Sequence, residues 1–550
     1  MSAKTVYLET FGCQMNELDS ELVAGQLRAL GYRFVGSADQ ADVVLYNTCS
    51  VREHAEQKVW SRLGELAERK QGEPGVVVGV LGCMAERDGT DLIKRMPVVD
   101  VLCGPGELDK LPSLLDNAVR TRNGRGDEDA LVSASQVALQ GGSSRRSSTL
   151  AAAEDTLEML DLSRAVSPVD SDDIKRKTAY VRITRGCNKF CTYCVVPHTR
   201  GAEIHRPPEH IIDECKKLAD SGVIEITLLG QTVNHYRFEH GAAVTVNGVV
   251  QPQKGRSYAG GHRRDPFAGA NVTTFADLLR RIHEEIPAIK RLRFVTSYPR
   301  DFGDDVLEVM RDHPRICRYL HVPAQSGSNR LLKSMNRGYT VEEYLEFLDR
   351  ARSFLDQPEI NRPLTLSGDF IVGFPGETDD DFEATKRLIE AAQYKNAFIF
   401  KYSPRPGTVA YDKMPDDVPE DVKRRRNNEL LAIQTAISER IGHAQVGREF
   451  EVMVEGFSRR ELKKSGLTKG QLKSAGAVAI TIGGRSLARH ELGAAAPSAE
   501  DATVQFSARN DGDLIVLFDA PASRADDLVG TITKVRIVRA EKMSLHGELI

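Results

Sequence analysis

"TAYVRITRGCNKFCTYC", residues 178–194, decides how the rest of the chain is read. Its first half is short and rich in β-branched and aromatic residues, the signature of a strand. Its second half places Cys187, Cys191 and Cys194 on one loop directly after that strand. Three thiols so close in sequence converge without long-range folding. The flanking Arg185, Gly186, Asn188, Lys189 and Thr192 are polar, which argues against a core strand. Thiolates are soft ligands that select zinc, Cu(I) or iron–sulfur clusters. Two readings follow. Zinc would need a fourth donor, and His198 could supply it, although zinc motifs usually pair ligands from two separated turns. An iron–sulfur cluster on three thiolates would leave one iron open to an outside ligand.

Downstream, "VIEITLLG", "RLRFVTS", "RYLHVPA", "LTLSGDFIVG" and "NAFIFKYS" continue the series of strands, with helical patterns such as "TVEEYLEFLDRARSFL" between them. Six strand–helix units predict an α/β domain over 173–438, a partial (β/α)6 barrel. A Gly-rich stretch at 237–274 interrupts it and reads as a surface insertion. Upstream, 4–120 alternates buried strands ("TVYLET", "ADVVLYN", "GVVVGVLG", "VVDVLCG") with amphipathic helices, implying a parallel sheet covered on both faces. Residues 121–172 are rich in Ser, Ala, Gly and Arg and read as a flexible linker. In 439–545, "REFEVMVEGF", "GAVAITIGG", "ATVQFSA", "DLIVLFD" and "GTITKVRIV" predict five short strands of a small antiparallel β-barrel.

Of the 550 residues, 41% are apolar and 28% charged, enough for several globular cores. The start, "MSAKTVYLET", has no basic region followed by an apolar run, so no signal peptide is expected. No apolar stretch is long enough for a membrane span. A cytoplasmic chain with reduced thiols is the expectation, so the nine cysteines are core residues, nucleophiles or ligands rather than disulfides. The net charge of −4 gives no hint of nucleic acid. Between 448 and 489, however, nine Lys and Arg stand against four Glu, and "KRRR" lies nearby at 423–426. Both suit contacts to RNA phosphates.

Cys13, Cys49 and Cys83 lie far apart in sequence but share a context: "YLETFGC", "VVLYNTC" and "VVGVLGC" each end a predicted strand. In a parallel sheet the carboxyl ends of strands line one edge, where ligands bind. Three βα loops would thus bring three thiols together for a second cluster, again with no fourth cysteine. Cys103 also follows a strand and competes; Cys215 and Cys317 read as core.

"GCNKFCTYC" resembles the cysteine loop of radical S-adenosylmethionine enzymes. With "FGCQMNELDS", "NTCSVREHAEQK", "LLGQTVNHY", "HVPAQSGSNRLL", "SGDFIVGFPGET" and "FKYSPRPGT", the chain is similar to methylthiotransferases, and most closely to the tRNA-2-methylthio-N6-dimethylallyladenosine synthases. The C-terminal barrel resembles a TRAM domain, with its middle expanded at 465–501. The resemblance implies that Cys187, Cys191 and Cys194 hold a [4Fe–4S] cluster whose open iron chelates S-adenosylmethionine, yielding a 5′-deoxyadenosyl radical. That radical would take the hydrogen from C2 of N6-isopentenyladenosine at position 37 of tRNA. Cys13, Cys49 and Cys83 would hold a second [4Fe–4S] cluster carrying the sulfur, which another S-adenosylmethionine methylates. The implied protein is a monomer that acts on tRNA and draws on a separate electron donor and sulfur source.

Gln231, Ser297 and Asp369 fall at predicted carboxyl ends of barrel strands and are candidates to touch S-adenosylmethionine; helix capping is the competing role for each. "GFPGE" at 373–377 reads as a strand-to-helix turn, because its spacing fits neither GxGxxG nor a Walker A loop. Rival functions are methylthiolation of threonylcarbamoyladenosine in tRNA or of a ribosomal-protein aspartate, and a non-catalytic zinc-bearing RNA-binding module.

Overall fold

The computed structural model describes residues 4–50, 53–123, 136–140, 156–164, 177–255, 269, 271–464 and 503–550. At the N-terminus a parallel sheet runs in the order Arg33–Phe34, Thr5–Phe11, Val43–Thr48, Val77–Gly82, Val101–Cys103, Gln136–Ala138. Successive side chains of Val43–Thr48 enter opposite cores. Val43 and Leu45 pack with helices Gln14–Ala29 and Leu111–Asn123, while Val44 and Tyr46 pack with helix Glu53–Gly72. Strands buried on both faces account for the unbroken apolar runs in the sequence.

Two pieces of the stretch read as a linker carry structure. Gln136–Ala138 pairs in parallel with Val101–Cys103 as the sixth strand. Helix Thr156–Arg164 packs Leu157 and Leu160 into the N-terminal core. Its Glu158 and Asp161 are buried against Arg206 and Arg182 of the next domain. Apart from Leu139 and Gln140, the remainder of 121–172 beyond Asn123 lies outside the described residues.

The six expected barrel strands form, as Thr178–Arg182, Glu225–Leu229, Arg291–Phe294, Tyr319–His321, Thr365–Val372 and Asn396–Lys401. They make two parallel three-stranded sheets, joined by a parallel bridge from Leu292 to Ile316 and by the Ser297 amide donating to the His321 carbonyl at 3.1 Å. Three helices of this domain start with the same device. Thr274/Asp277, Thr340/Glu343 and Thr378/Asp381 are capping boxes, each satisfying two backbone N–H groups.

Within the insertion, Arg237–Glu239 pairs with Val272–Thr274, and Gln253–Lys254 pairs with His205–Ile204. Asn247 and Gly248, both at positive φ, turn the hairpin Thr245–Val246/Val249–Val250. Its Gly255 carbonyl accepts from Asn188 of the cysteine loop at 3.0 Å.

The C-terminal strands Glu449–Phe457, Thr503–Asn510, Ile515–Pro521, Ile532–Ala540 and Leu545–Leu549 close a five-stranded barrel. The fifth strand is Leu545–Leu549, paired in parallel with Ile515–Pro521; "GAVAITIGG", expected as a strand, lies outside the described residues. The turn after Asn510 plugs the amino end of the larger barrel. Arg293 donates to the Asn510 carbonyl at 2.6 Å, Arg291 to the Arg509 and Glu451 carbonyls at 2.6 Å each, and Lys395 pairs with Asp513. The opposite end, with the cysteine loop, is left for the N-terminal domain.

"KRRR" does not present four free charges to RNA. Lys423 is buried on Asp416, and Arg426 is buried on Glu377 at 2.7 Å and Asp379 at 2.8 Å. On a helix, positions three apart share a face, and here that face is turned inward. "GFPGE" is the expected turn: Gly373 and Gly376 have positive φ, and the Gly373 amide donates to Glu377 at 2.6 Å. No helix among the described residues is long and apolar enough to cross a membrane.

Candidate metal centres

The first cysteine loop begins at Gly186, whose φ is +65° and where a Cβ would meet the Ala202 carbonyl oxygen at 2.1 Å. Only glycine fits there. The thiols that follow are held from several directions. The Lys189 amide lies 3.5 Å from Cys187 Sγ, the Thr232 hydroxyl 3.8 Å from the same sulfur, and Arg337 Nη1 3.4 Å from Cys191 Sγ. Burial pushes the Cys187 thiol up to about 11, with Glu203 adding to the shift. Burial likewise raises Cys194, and the neighbouring Cys191 and Cys187 raise it further, so these three sulfurs share one electrostatic environment.

The second three cysteines lie at the carboxyl edge of the N-terminal sheet, with Cys13 hydrogen-bonded to Cys49 and close enough to Cys83 to act on it. Cys13 caps helix Gln14–Ala29, Cys49 follows Val43–Thr48, and Cys83 opens helix Cys83–Asp88. Two glycines make the approach possible: a Cβ on Gly12 would lie 2.7 Å from Cys49 Cβ, and one on Gly82 would lie 2.4 Å from Asn47 Oδ1. Buried Asn16 and Asn47 lock the loops. Asn16 donates to Asn47 Oδ1 at 3.0 Å and to the Thr48 carbonyl at 3.1 Å, and Asn47 donates to the Asn16 carbonyl at 2.8 Å. A hydrogen bond with the Cys49 thiol, helped by Arg200, lowers Cys13 to about 5 against the opposing effect of burial. Burial raises Cys83. Cys103 is not part of this trio: it is fully buried in the apolar core and donates to the Glu107 carbonyl at 3.2 Å.

One segment serves both trios. Helix Val196–Thr199, immediately after Cys194, packs on Cys83–Asp88. Thr199 hydrogen-bonds Cys83, and the Arg200 guanidinium acts on both Cys13 and Cys83 while pairing with buried Asp19 at 2.8 Å. Asp19 also holds Arg182 at 3.2 Å. A second tie joins "REHAEQK" to "SPRPGT": Glu56 accepts from both Arg87 and Arg405 at 2.7 Å.

Of the three strand-end candidates, Ser297 is buried, and its hydroxyl has no hydrogen-bond partner among the described residues. Asp369 lies within strand Thr365–Val372 rather than at its end, with Oδ1 3.1 Å from His321 Nε2. Ser297 and Asp369 therefore both adjoin His321, one through its backbone. Gln231 is half-buried and next in sequence to Thr232, which reaches Cys187. Sequence reading missed Asn16, Asn47, Asp19, Arg200 and Arg337. The first three stand inside the quoted motifs, where buried polar residues were the available signal; Arg200 lies six residues beyond the quoted cysteine loop.

A single zinc ion draws its donors to within about 2.3 Å of one point. Among the described residues no three His, Cys, Asp or Glu side chains form a group that could hold a single metal ion, which covers Cys187, Cys191, Cys194 and His198 and both cysteine trios alike. The donor chemistry, six thiols in two sets of three, each with a buried arginine beside it, suits iron–sulfur ligation.

The fold and its three-cysteine loop define a radical S-adenosylmethionine protein: the Radical SAM superfamily model matches residues 181–389, and the model described as Uncharacterized protein family UPF0004 matches 5–104. The tRNA-2-methylthio-N(6)-dimethylallyladenosine synthase of Rhodopirellula baltica is 43% identical over 460 residues, covering 83% of this chain and 85% of its own. That of Opitutus terrae is 37% identical over 553 residues, covering 99% and 97%. A solved radical S-adenosylmethionine methyltransferase, TsrM from Kitasatospora setae, is similar with TM-score 0.43 and 14% identity, covering 72% of this chain and 73% of that one. The chain belongs to the tRNA-2-methylthio-N(6)-dimethylallyladenosine synthase family and is an enzyme.

Proposed function

We propose that this enzyme converts N6-isopentenyladenosine at position 37 of tRNA to its 2-methylthio derivative, with one [4Fe–4S] cluster on Cys187, Cys191 and Cys194 and another on Cys13, Cys49 and Cys83. The observation that carries this reading is the segment after Cys194, which packs on helix Cys83–Asp88, with Thr199 hydrogen-bonded to Cys83 and the Arg200 charge acting on Cys13 and Cys83. When bound, the clusters and S-adenosylmethionine supply reductive cleavage of a sulfonium, hydrogen abstraction and a carried sulfur.

The chain's own residues supply placement. Lys189, Thr232 and Arg337 fix the sulfurs of the first loop. Ser297 offers a buried hydroxyl with no partner among the described residues, and Gln231, just after a strand, and Asp369, within one, stand nearby in the fold for the polar groups of S-adenosylmethionine. Asp19 holds Arg200 against the second trio, which keeps positive charge beside groups that work as anions. Strand Ile532–Ala540 of the TRAM-like barrel presents exposed Lys534, Arg536 and Arg539, which suit the phosphates of tRNA.

Anaerobically purified protein is expected to be brown, with two four-iron clusters, about eight irons per chain. Colourless protein carrying one zinc per chain would overturn the reading in favour of a zinc-bearing RNA-binding module.

A further inference from the structure

Arg337 is buried, 6% exposed, beside the first cysteine trio. Its Nη1 lies 3.4 Å from Cys191 Sγ and 3.4 Å from the Tyr193 hydroxyl; Nε donates to the Tyr339 hydroxyl at 2.9 Å and Nη2 to the Pro323 carbonyl at 3.1 Å. The guanidinium also lies over the Tyr298 ring, 4.7 Å from its centroid. None of these partners is a carboxylate. Arg182 and Arg200 instead pair with Asp19, and Arg206 pairs with Glu158 and Glu214.

A buried guanidinium stays charged, and a buried charge without a counter-ion is costly. Phenols are neutral at neutral pH, so the tyrosines solvate Arg337 without neutralising it. The one neighbour that becomes an anion in the working enzyme is the sulfur of Cys191, once it ligates iron.

We propose that Arg337 is the counter-charge of the cluster on Cys187, Cys191 and Cys194, donating an N–H to the Cys191 sulfur and raising the cluster's reduction potential. The inference rests on the cluster assignment proposed above. Three thiolates make the loaded site negative, and the electron it accepts from the external donor adds to that charge. A fixed cation and an N–H···S hydrogen bond both favour the reduced form. Tyr298, Tyr193 and Tyr339 hold the fork in place, so the charge is ready before the electron arrives.

The test is a titration of the full chain, in which Cys13, Cys49 and Cys83 are replaced by Ala so that only this cluster is observed, followed by electron paramagnetic resonance. Arg337→Met is expected to retain about four irons. At the potential where the cluster with Arg337 is half reduced, its reduced-to-oxidised ratio should fall about tenfold, equivalent to about 59 mV for one electron. Arg337→Lys keeps the charge without the fork and should lose about threefold. A ratio unchanged in both variants would overturn the proposal, and so would failure of both to load iron, since Arg337 would then serve assembly rather than potential. Cys191→Ala separates the two claims: if it still loads and titrates normally, the cluster assignment has failed, not the role of Arg337.

Discussion

Replacing Cys13, Cys49 and Cys83 together by alanine is expected to remove about half of the iron, about four of eight atoms, and to abolish formation of the 2-methylthio product. Reductive cleavage of S-adenosylmethionine should persist, read as 5′-deoxyadenosine by liquid chromatography. The separation follows from where the thiols sit. The second trio hangs from three βα loops of the N-terminal sheet, whereas the first lies on one loop of the barrel. Alanine at the three positions leaves Asn16 and Asn47 to hold those loops. It also leaves Thr199 and Arg200, which belong to the barrel side. The converse variant, with Cys187, Cys191 and Cys194 as alanine, should lose both cleavage and product while keeping the other half of the iron. Loss of 5′-deoxyadenosine in the first variant would show that the trios are not separable centres.

Arg206→Met is expected to destabilise the protein by about 3–5 kcal/mol, because it leaves buried charges without their partner. Arg206 is fully buried and bonds Glu158 at 2.9 and 3.0 Å, Glu214 at 2.7 Å and the Arg182 carbonyl at 2.7 Å. Burial would raise Glu158, but the Arg206 charge with His210 and Arg185 outweighs it and holds the carboxyl at about 2, below its ordinary 4.5. A depressed carboxyl contributes stability that is fully present above its ordinary value and is lost as pH falls towards 2. The wild-type protein should therefore lose stability over that window. Arg206→Met should lose less there, since Glu158 is then more easily protonated. Urea denaturation at neutral pH and near pH 4 reads both effects; a neutral-pH loss below about 1 kcal/mol, the range of an exposed pair, would show that the ion pairs are not buried in solution.

The placement of the six candidate cysteines on loops that follow strands was legible because each is a local event. A strand, a forced glycine or polar turn and a thiol are all within a few residues, and the common edge of a parallel sheet does the rest. The barrel strands were legible for the same reason. What was not legible comes from pairs distant in sequence. Arg337 meets Cys191 across 146 residues, and Arg200 meets Asp19 across 181. Helix Thr156–Arg164 was hidden by its composition, since its stability comes from Leu157 and Leu160 in one core and from arginines of another domain. The exposed-looking "KRRR" failed the other way: carboxylates from the "GFPGET" turn and its surroundings draw Lys423 and Arg426 inward. Asp369 lies inside its strand, three residues before Val372, as the run "LTLSGDFIVG" at 364–373 itself implies; its placement at a carboxyl end overlooked that run.

Mass spectrometry of tRNA nucleosides from a strain lacking this enzyme reads the reaction on isopentenyladenosine itself. The 2-methylthio group is expected to vanish from isopentenyladenosine, with the unthiolated nucleoside accumulating, and to return when the intact gene is restored. Intact 2-methylthio-isopentenyladenosine, with the group missing instead from threonylcarbamoyladenosine or from a ribosomal-protein aspartate, would contradict it.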